Sequence, residues 1–148
     1  MEKTLYIMRG IPGSGKSTRA RELCHEALNM GANGAVICST DDYHMVDGEY
    51  RFNRNRLGEF HSMNQSRVFD FMYAGADVIV VDNTNIKRKD MEPYLSCAKE
   101  FNYEVQEVVV GEESMRANMD AYITNCTARN THGVPRDAIE RMARSFQL

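Results

Sequence analysis

The chain has 148 residues, of which 43% are hydrophobic and 26% are charged. This balance is typical of a soluble globular protein and excludes a disordered one, and no apolar stretch approaches the ~20 residues of a membrane span. A net charge of −3 at pH 7 excludes the bulk basicity of a general nucleic-acid binder, so any polynucleotide would be held by a local patch.

Strand-like and helix-like segments alternate along the chain. In order, the pattern predicts a strand at Lys3–Arg9, a helix at Ser17–Asn29, a strand at Ala35–Cys38, a turn at Asp47–Gly48, a helix at Arg54–Tyr73, a strand at Asp77–Val81, a helix at Lys89–Asn102, a strand at Val105–Val110, and helices at Ser114–Arg129 and Pro135–Phe146. Repeated strand–helix–strand units predict an α/β fold, a three-layer sandwich whose parallel sheet has about four strands in the order 2-3-1-4. The chemistry of such a sheet gathers at the carboxyl ends of its strands.

The other bulk features indicate one domain in a reducing compartment. We expect a single domain over residues 1–148, because the length suits one core and no linker, repeat or low-complexity tract interrupts it. The first strand leaves no room for a signal peptide, so we expect a cytoplasmic protein without membrane attachment. Zinc spacing and C-x-x-C pairs are absent, and the cysteines are expected to be reduced: Cys24, Cys38, Cys97 and Cys126.

The segment after the first strand, Gly10–Ser17, spells the phosphate-binding loop G-x-x-x-x-G-K-[ST]. Its glycines allow the abrupt turn that aims consecutive backbone N–H groups at an anion, and the following helix adds its positive N-terminal end. Lys16 should reach the β- and γ-phosphates, and the Ser17 hydroxyl should ligate Mg²⁺. We therefore predict that ATP or another nucleoside triphosphate binds with Mg²⁺ at Gly10, Pro12, Gly13, Ser14, Gly15, Lys16, Ser17 and Thr18.

Carboxylates follow two of the other strands. Four apolar residues run into Asp82, as in a Walker B strand, so Asp82 is predicted to hold Mg²⁺ directly or through water; the structural alternative is that it caps the next turn. On an extended segment Asp41 and Asp42 cannot point the same way, so one of them should face the crevice, where it could take a proton from an acceptor hydroxyl. Spacing does not choose between them, and both could instead cap the loop.

The connection between the last two helices, residues 129–136, is basic and contains glycine. It predicts a lid at about residues 114–135 that closes an arginine over the triphosphate, and the alternative is a solvated helix end. Two further basic concentrations, one between Arg51 and Arg67 and one over Lys87–Lys89, are expected to be solvated faces from which one or two members could contact acceptor phosphates. Tyr43 and Phe52 could stack on a base or pack in the core.

Together these motifs resemble the polynucleotide 5′-hydroxyl kinase family, which includes phage polynucleotide kinase. The resemblance rests on four blocks that occur in the family's order and span nearly the whole chain: Gly10–Thr18, Ser39–Tyr43, Asp82–Asn85 and Arg129–Pro135. It implies transfer of the ATP γ-phosphate to a 5′-hydroxyl end of DNA or RNA, as in nucleic-acid end repair. The phosphatase domain of some relatives is not expected, because the chain contains no D-x-D-x-T sequence.

The same resemblance implies roles for individual residues. Lys16 and Ser17 would be the phosphate and Mg²⁺ contacts. Asp41 would be the general base, and Arg129 would be the catalytic lid arginine on the phosphates. The family's second lid arginine has no clear counterpart, unless a shorter loop brings His132 to that place.

The acceptor side departs from the family pattern. Thr84 and Val134 would line the terminal nucleoside of the acceptor. His44 stands where the phage enzyme has an acceptor-binding arginine, and Asn83 stands where it has an acidic residue, so we place both on the acceptor side. These departures favour, as an alternative, a kinase that acts on a nucleoside, sugar or antibiotic hydroxyl. A second alternative is a slow nucleotide-binding module that regulates a partner.

Overall fold

The computed structural model describes all 148 residues. Its strands are β1 Thr4–Arg9, β2 Ala35–Cys38, β3 Met45–Val46, β4 Glu49–Tyr50, β5 Val78–Asp82 and β6 Glu104–Val109. Its α-helices are α1 Lys16–Asn29, α2 Leu57–Ala74, α3 Glu92–Phe101, α4 Glu112–Ala117, α5 Met119–Arg129 and α6 Arg136–Ser145. Four parallel strands form the main sheet in the order β2-β5-β1-β6, while β3 and β4 form a separate hairpin. The predicted α/β fold and the strand order of its main sheet are therefore confirmed.

Burial explains which strands occupy the centre of the sheet. Every residue of β5 is buried, and so is nearly all of β1, whereas β6 at the edge keeps exposed side chains. A parallel strand that is covered on both faces must be apolar on both, and the run Val78–Val81 meets this requirement. The strands that carry the phosphate loop and Asp82 are thus the two most rigidly packed in the sheet.

Helices cover both faces of the sheet and produce three layers. On β5, Ile79 points into a core that it shares with Val68 of α2, while Val80 points to the opposite core with Leu23 of α1. A third cluster lies under α5 and α6 and includes the fully buried Ile123. This cluster fastens α5 and α6 to the side of the sheet where the phosphate loop emerges.

One predicted helix differs in detail from the structure, and one predicted turn is confirmed. The predicted helix Ser114–Arg129 is two helices, because Asn118 is extended and its side chain accepts a hydrogen bond from the Ala121 amide at 3.1 Å, which caps α5. The predicted turn at Asp47–Gly48 is confirmed and closes the β3–β4 hairpin, with φ angles of 52° and 82° that suit a type I′ turn. The hairpin strands themselves are too short for a sequence pattern to predict.

Arg9, at the end of β1, is fully buried. Its guanidinium pairs with Glu107 on β6 at 2.7 Å and donates hydrogen bonds to the carbonyl oxygens of Asn85, Ile86 and Gln147. Because Arg9 directly precedes the phosphate loop, this network ties the base of the loop to the segment after β5 and to the last residues of the chain.

The four cysteines are buried, and none is joined to another by a disulfide bond. None of the helices combines the length and the apolar character that crossing a membrane requires.

Candidate active site

The phosphate loop turns sharply between β1 and α1. Gly13 and Gly15 have φ angles of 81° and 100°, a region that favours glycine. Gly13 also lies against α5, where a Cβ atom would come within 2.1 Å of the Cys126 carbonyl oxygen. On the other side, the Gly10 amide donates a 3.0 Å hydrogen bond to the Thr84 carbonyl. The loop is therefore held between α5 and the segment that follows β5.

Lys16 is partly buried within this loop. Burial lowers the pKa of its ammonium group, whereas the nearby carboxylates of Asp82 and Asp41 act in the opposite direction. Its hydrogen bond to the Ile11 carbonyl oxygen is long, at 3.5 Å from Nζ. The cost of burying this positive charge is poorly offset by its surroundings, so binding of an anion here is favourable. The position therefore suits the phosphate contact predicted for Lys16.

Ser17 and Asp82 form a pair of oxygen donors beside Lys16. The Ser17 hydroxyl donates a 2.8 Å hydrogen bond to Oδ2 of Asp82, which is only 8% exposed at the end of β5. Hydroxyl and carboxylate oxygens suit Mg²⁺, which in nucleotide sites takes one or two protein ligands and completes its shell with water and phosphate oxygens. The residues present therefore fit the predicted metal.

Asp41 is held between the hairpin and the loop after α5. The Tyr50 hydroxyl lies 3.3 Å from Asp41 Oδ1 and donates to it, and His132 Nδ1 lies 3.4 Å from Oδ2. The rings of Tyr50 and His132 stack at 3.8 Å with an angle of 8° between their planes. We call Asp41, Tyr50 and His132 the Asp41 clasp. Burial raises the pKa of the Tyr50 phenol, and the charge of Asp41 raises it further, so Tyr50 stays a neutral donor.

The two aspartates of the doublet have different surroundings. They lie in a 3₁₀ turn, Thr40–His44, and not in the extended segment that the sequence reasoning assumed. With three residues per turn they still diverge, by about 120°. Asp42 pairs with Arg67 at 3.0 Å, whereas Asp41 belongs to the clasp and is close enough to Lys16 to raise the pKa of its ammonium group. Of the two, only Asp41 is close to the predicted phosphate site.

His44 does not occupy the acceptor position predicted for it. Its side chain is 1% exposed, and its ring packs edge-on against Phe60 at 4.8 Å and next to Phe52 at 5.0 Å. Its Nδ1 accepts a 3.1 Å hydrogen bond from the Asn53 amide, and burial lowers its pKa. His44 is therefore a neutral packing residue behind the clasp, because an imidazole enclosed by aromatic rings cannot reach a ligand.

A polar cleft of about 320 Å³ opens beside Asp82. Asn83 and Thr84 lie in its wall, as expected of acceptor-side residues, but the Asn83 amide oxygen is already used by the Thr40 N–H at 2.9 Å. Val134 is absent from the wall, because it packs on the cluster under α5 and α6. The lining residues are His61, Gln65, Asn83, Thr84, Asn85, Lys89, Asp90, Pro93 and Tyr94.

Arg129 reaches the phosphate loop from the end of α5. Its Nε donates a 3.2 Å hydrogen bond to the Gly13 carbonyl. The following Asn130 organises the connection to α6: its side chain donates to the Thr127 carbonyl at 2.8 Å and accepts from the Val134 amide at 2.8 Å. This loop geometry carries His132 to the clasp. The segment predicted as a lid thus contacts both the phosphate loop and Asp41.

Sequence reasoning missed Tyr50 as a site residue. Its signal is weak, because Tyr50 stands in a polar stretch and its position depends on the hairpin register, in which it pairs with Met45. The Asp47–Gly48 turn offers a clue, since a two-residue turn would return the chain toward Asp41. His61 and Tyr94, which line the cleft, lie on helix faces where nothing distinguishes them from packing residues.

Comparison with known proteins places the chain in a family. A family model described as an AAA domain (AAA_33) matches residues 5–148. The human NEDD4-binding protein 2 is 33% identical over 147 residues. That match covers 97% of this chain but 8% of the human protein, so the chain spans less than a tenth of this relative's length.

Solved structures show the same fold. A chain of the Pnkp1/Rnl/Hen1 RNA repair complex superposes with a TM-score of 0.70 at 20% identity, covering 97% of this chain and 44% of that one. A gluconokinase from Sinorhizobium meliloti 1021 superposes with a TM-score of 0.59 at 16% identity, covering 97% of this chain and 75% of that one. The chain therefore belongs to the AAA domain family that its residues 5–148 match, and it has the fold of the phosphate-loop kinases.

Proposed function

We propose that this chain is an ATP- and Mg²⁺-dependent phosphotransferase that phosphorylates a 5′-hydroxyl end of DNA or RNA, as in end healing. The observation that carries the proposal is the convergence of three groups at one sheet edge. Lys16 is a partly buried cation, Ser17 and Asp82 form a pair of oxygen donors at 2.8 Å, and Asp41 lies close enough to Lys16 to act on its charge. Because the Asp41 carboxylate contacts only the two other members of the clasp, it can accept a proton from a hydroxyl that binds beside the triphosphate.

The donor side follows from the phosphate loop. Its backbone N–H groups and the Lys16 ammonium would bind the phosphates of ATP, and Arg129 would exchange its contact with the Gly13 carbonyl for the γ-phosphate. Ser17 and Asp82 would hold Mg²⁺, which supplies charge neutralisation to the transferring phosphoryl group. Because these groups are positioned before the reaction, they stabilise developing charge with little reorganisation.

Asp41 would act as the general base. The 5′-hydroxyl would donate its proton to the carboxylate as its oxygen attacks the γ-phosphorus in line, and ADP would leave. Half of the Asp41 side chain is exposed, so an incoming hydroxyl can reach it. Tyr50 and His132 contact different oxygens of the carboxylate and thereby restrict its rotation. Restricting the base in this way contributes through orientation.

Two candidate classes of acceptor are supported by different observations. The four sequence blocks shared with polynucleotide kinases favour a nucleic-acid end, and a fold neighbour belongs to an RNA repair complex. The second candidate is a small-molecule kinase. The burial of His44 favours it, because the acceptor-binding cation of the phage enzyme then has no replacement at that position.

The decisive experiment is transfer of radiolabelled γ-phosphate to matched DNA, RNA and mononucleoside acceptors. Asp41→Asn should leave ATP affinity nearly intact and lower turnover by at least ~10²-fold. Asp42→Asn is the matched control, since Asp42 pairs with Arg67 and should retain most activity. Full activity of Asp41→Asn would refute the base assignment. Labelling of nucleosides alone would select the small-molecule kinase, and no labelling of any acceptor would refute the proposed function.

A further inference from the structure

We propose that the strand on the 3′ side of the accepted nucleotide lies in a basic groove, in which Lys87, Lys89 and Arg141 contact its phosphates. This inference rests on the proposed function and specifies its acceptor: an oligonucleotide of several residues, in place of a mononucleoside. The groove consists of two clefts that adjoin each other at the surface of the molecule. None of its three cations belongs to the sequence blocks that resemble polynucleotide kinases.

The two clefts adjoin each other. The first is the acceptor-side cleft of about 320 Å³ described above. The second, of about 350 Å³, is lined by Ile86, Lys87, Lys89, Asp90, Arg141, Met142 and Ser145. Lys89 and Asp90 belong to both walls, so the clefts meet at this point. Together the two clefts extend from the residues that follow β5, past those before α3, to α6.

The inner end of the groove lies at the reaction site. Thr84 in its wall accepts a hydrogen bond from the Gly10 amide of the phosphate loop at 3.0 Å. His61 in the same wall has its Nδ1 3.2 Å from the hydroxyl of Thr40, the residue next to Asp41. A nucleoside whose 5′-hydroxyl meets Asp41 therefore has this wall beside it.

The charges of the groove complement phosphates. Lys87, Lys89 and Arg141 are exposed, and none of them forms an ion pair. Their neighbour Arg88 differs, because it is paired with Glu107 at 3.1 Å. The groove contains one carboxylate, Asp90, whose Oδ2 already accepts a 3.0 Å hydrogen bond from the Lys87 amide. Three unpaired cations against one carboxylate leave a local positive field on a chain whose net charge is −3.

A strand in this groove has a measurable electrostatic signature. Each phosphate neutralised on a single strand contributes a slope of about −0.7 to the dependence of log affinity on log salt concentration. Three such contacts predict a slope of about −2 for a tetranucleotide. A mononucleoside carries no phosphate, so its binding should hardly respond to salt. The effects of acceptor length and of salt on acceptor binding thus measure the contribution of the groove.

The test compares a 5′-hydroxyl mononucleoside with a tetranucleotide in wild-type protein and in a triple variant, Lys87→Gln, Lys89→Gln and Arg141→Gln. The wild type should show a lower KM for the tetranucleotide. The triple variant should raise that KM by at least about tenfold and flatten the salt slope toward zero. The KM for the mononucleoside should change much less, because Lys87 and Arg141 lie outside the acceptor-side cleft. Arg88→Gln is the matched control, because Arg88 has the same charge but is already paired.

Equal KM values for the two acceptors, or a triple variant that behaves like the wild type, would overturn the groove while leaving a small-molecule kinase intact. Equilibrium binding of a fluorescent 5′-hydroxyl tetranucleotide gives the same comparison without turnover. If no acceptor is phosphorylated, a slope of about −2 that is lost in the triple variant would still support the groove. A slope near zero in the wild type would refute it.

Discussion

Replacing Gly13 by alanine tests how the lid segment is fastened to the phosphate loop. Gly13 has a φ of 81°, which costs an alanine about 1–2 kcal/mol. A Cβ at this position would also lie 2.1 Å from the carbonyl oxygen of Cys126 and 2.8 Å from its carbonyl carbon. Because both atoms belong to the backbone of α5, no side-chain rotation can relieve the overlap. Either α5 or the loop must move.

The magnitude follows from these two terms. Forcing extra volume into a packed region typically costs about 1–3 kcal/mol, and Cys126 belongs to a cluster that is almost fully buried. Together with the strain, we expect Gly13→Ala to lose about 2–5 kcal/mol of unfolding free energy. Gly31→Ala is the control: its φ is 91°, but no atom lies within 4 Å of its Cβ, so it should lose the strain term alone.

The assay is equilibrium unfolding in urea without nucleotide, followed by ATP binding and phosphate transfer. Gly13→Ala should also weaken the Arg129 contact with the Gly13 carbonyl and lower turnover, whereas Gly31→Ala should leave turnover unchanged. If the two variants lose the same stability, α5 does not press on the phosphate loop, and the reasoning that joins the lid segment to the nucleotide site is wrong.

Two further substitutions probe the clasp and the buried arginine. Tyr50→Phe removes the hydroxyl that holds Asp41 but keeps the ring stacked on His132. We expect kcat to fall by about 2–10-fold at unchanged ATP affinity. An unchanged kcat would show that Tyr50 has no part in positioning the base. Arg9→Met removes the ion pair with Glu107 and leaves the carbonyl oxygens of Asn85, Ile86 and Gln147 without their donor, which should cost about 3–5 kcal/mol in urea unfolding at neutral pH. Burial alone would raise the pKa of Glu107, but hydrogen bonds from Arg9 and Arg88 outweigh it and lower the pKa. The stabilisation is therefore present above the usual pKa of about 4.5 and fades as pH falls below it, so the stabilities of wild type and variant should converge in acid. A gap that widens in acid would contradict this sign.

Sequence reasoning succeeds where consecutive residues carry the chemistry. The phosphate loop is a motif of eight consecutive residues, and Asp82 directly follows an apolar run. The two are brought together by a rule of topology: β1 and β5 are adjacent parallel strands, so their carboxyl ends meet at one sheet edge. The 2.8 Å contact between Ser17 and Asp82 follows from these two facts. No information about distant side chains is needed to predict it.

It fails where a position depends on contacts between distant segments. Arg9 reads as the polar end of a strand, yet its partners Glu107 and Gln147 lie 98 and 138 positions away. His44 reads as a polar residue in a loop, and it is buried because Phe52 and Phe60 converge on it from two other segments. In both cases the local sequence predicts a solvated side chain, and the side chain is buried only because distant segments pack around it in the folded protein.

The aspartate doublet shows how tertiary structure divides two identical residues. Ser39 caps the 3₁₀ turn, from which the two carboxylates diverge. Arg67 binds Asp42, and the same guanidinium donates to the Ser39 carbonyl at 3.0 Å, so Asp42 is part of what shapes the turn. The Asp41 carboxylate instead contacts Tyr50 of the hairpin and His132 of the loop after α5. Asp42 could not replace Asp41 as the base without breaking its pair with Arg67, which also helps to hold the turn that positions Asp41. Loss of Asp42 should therefore appear as loss of stability, and loss of Asp41 as loss of turnover.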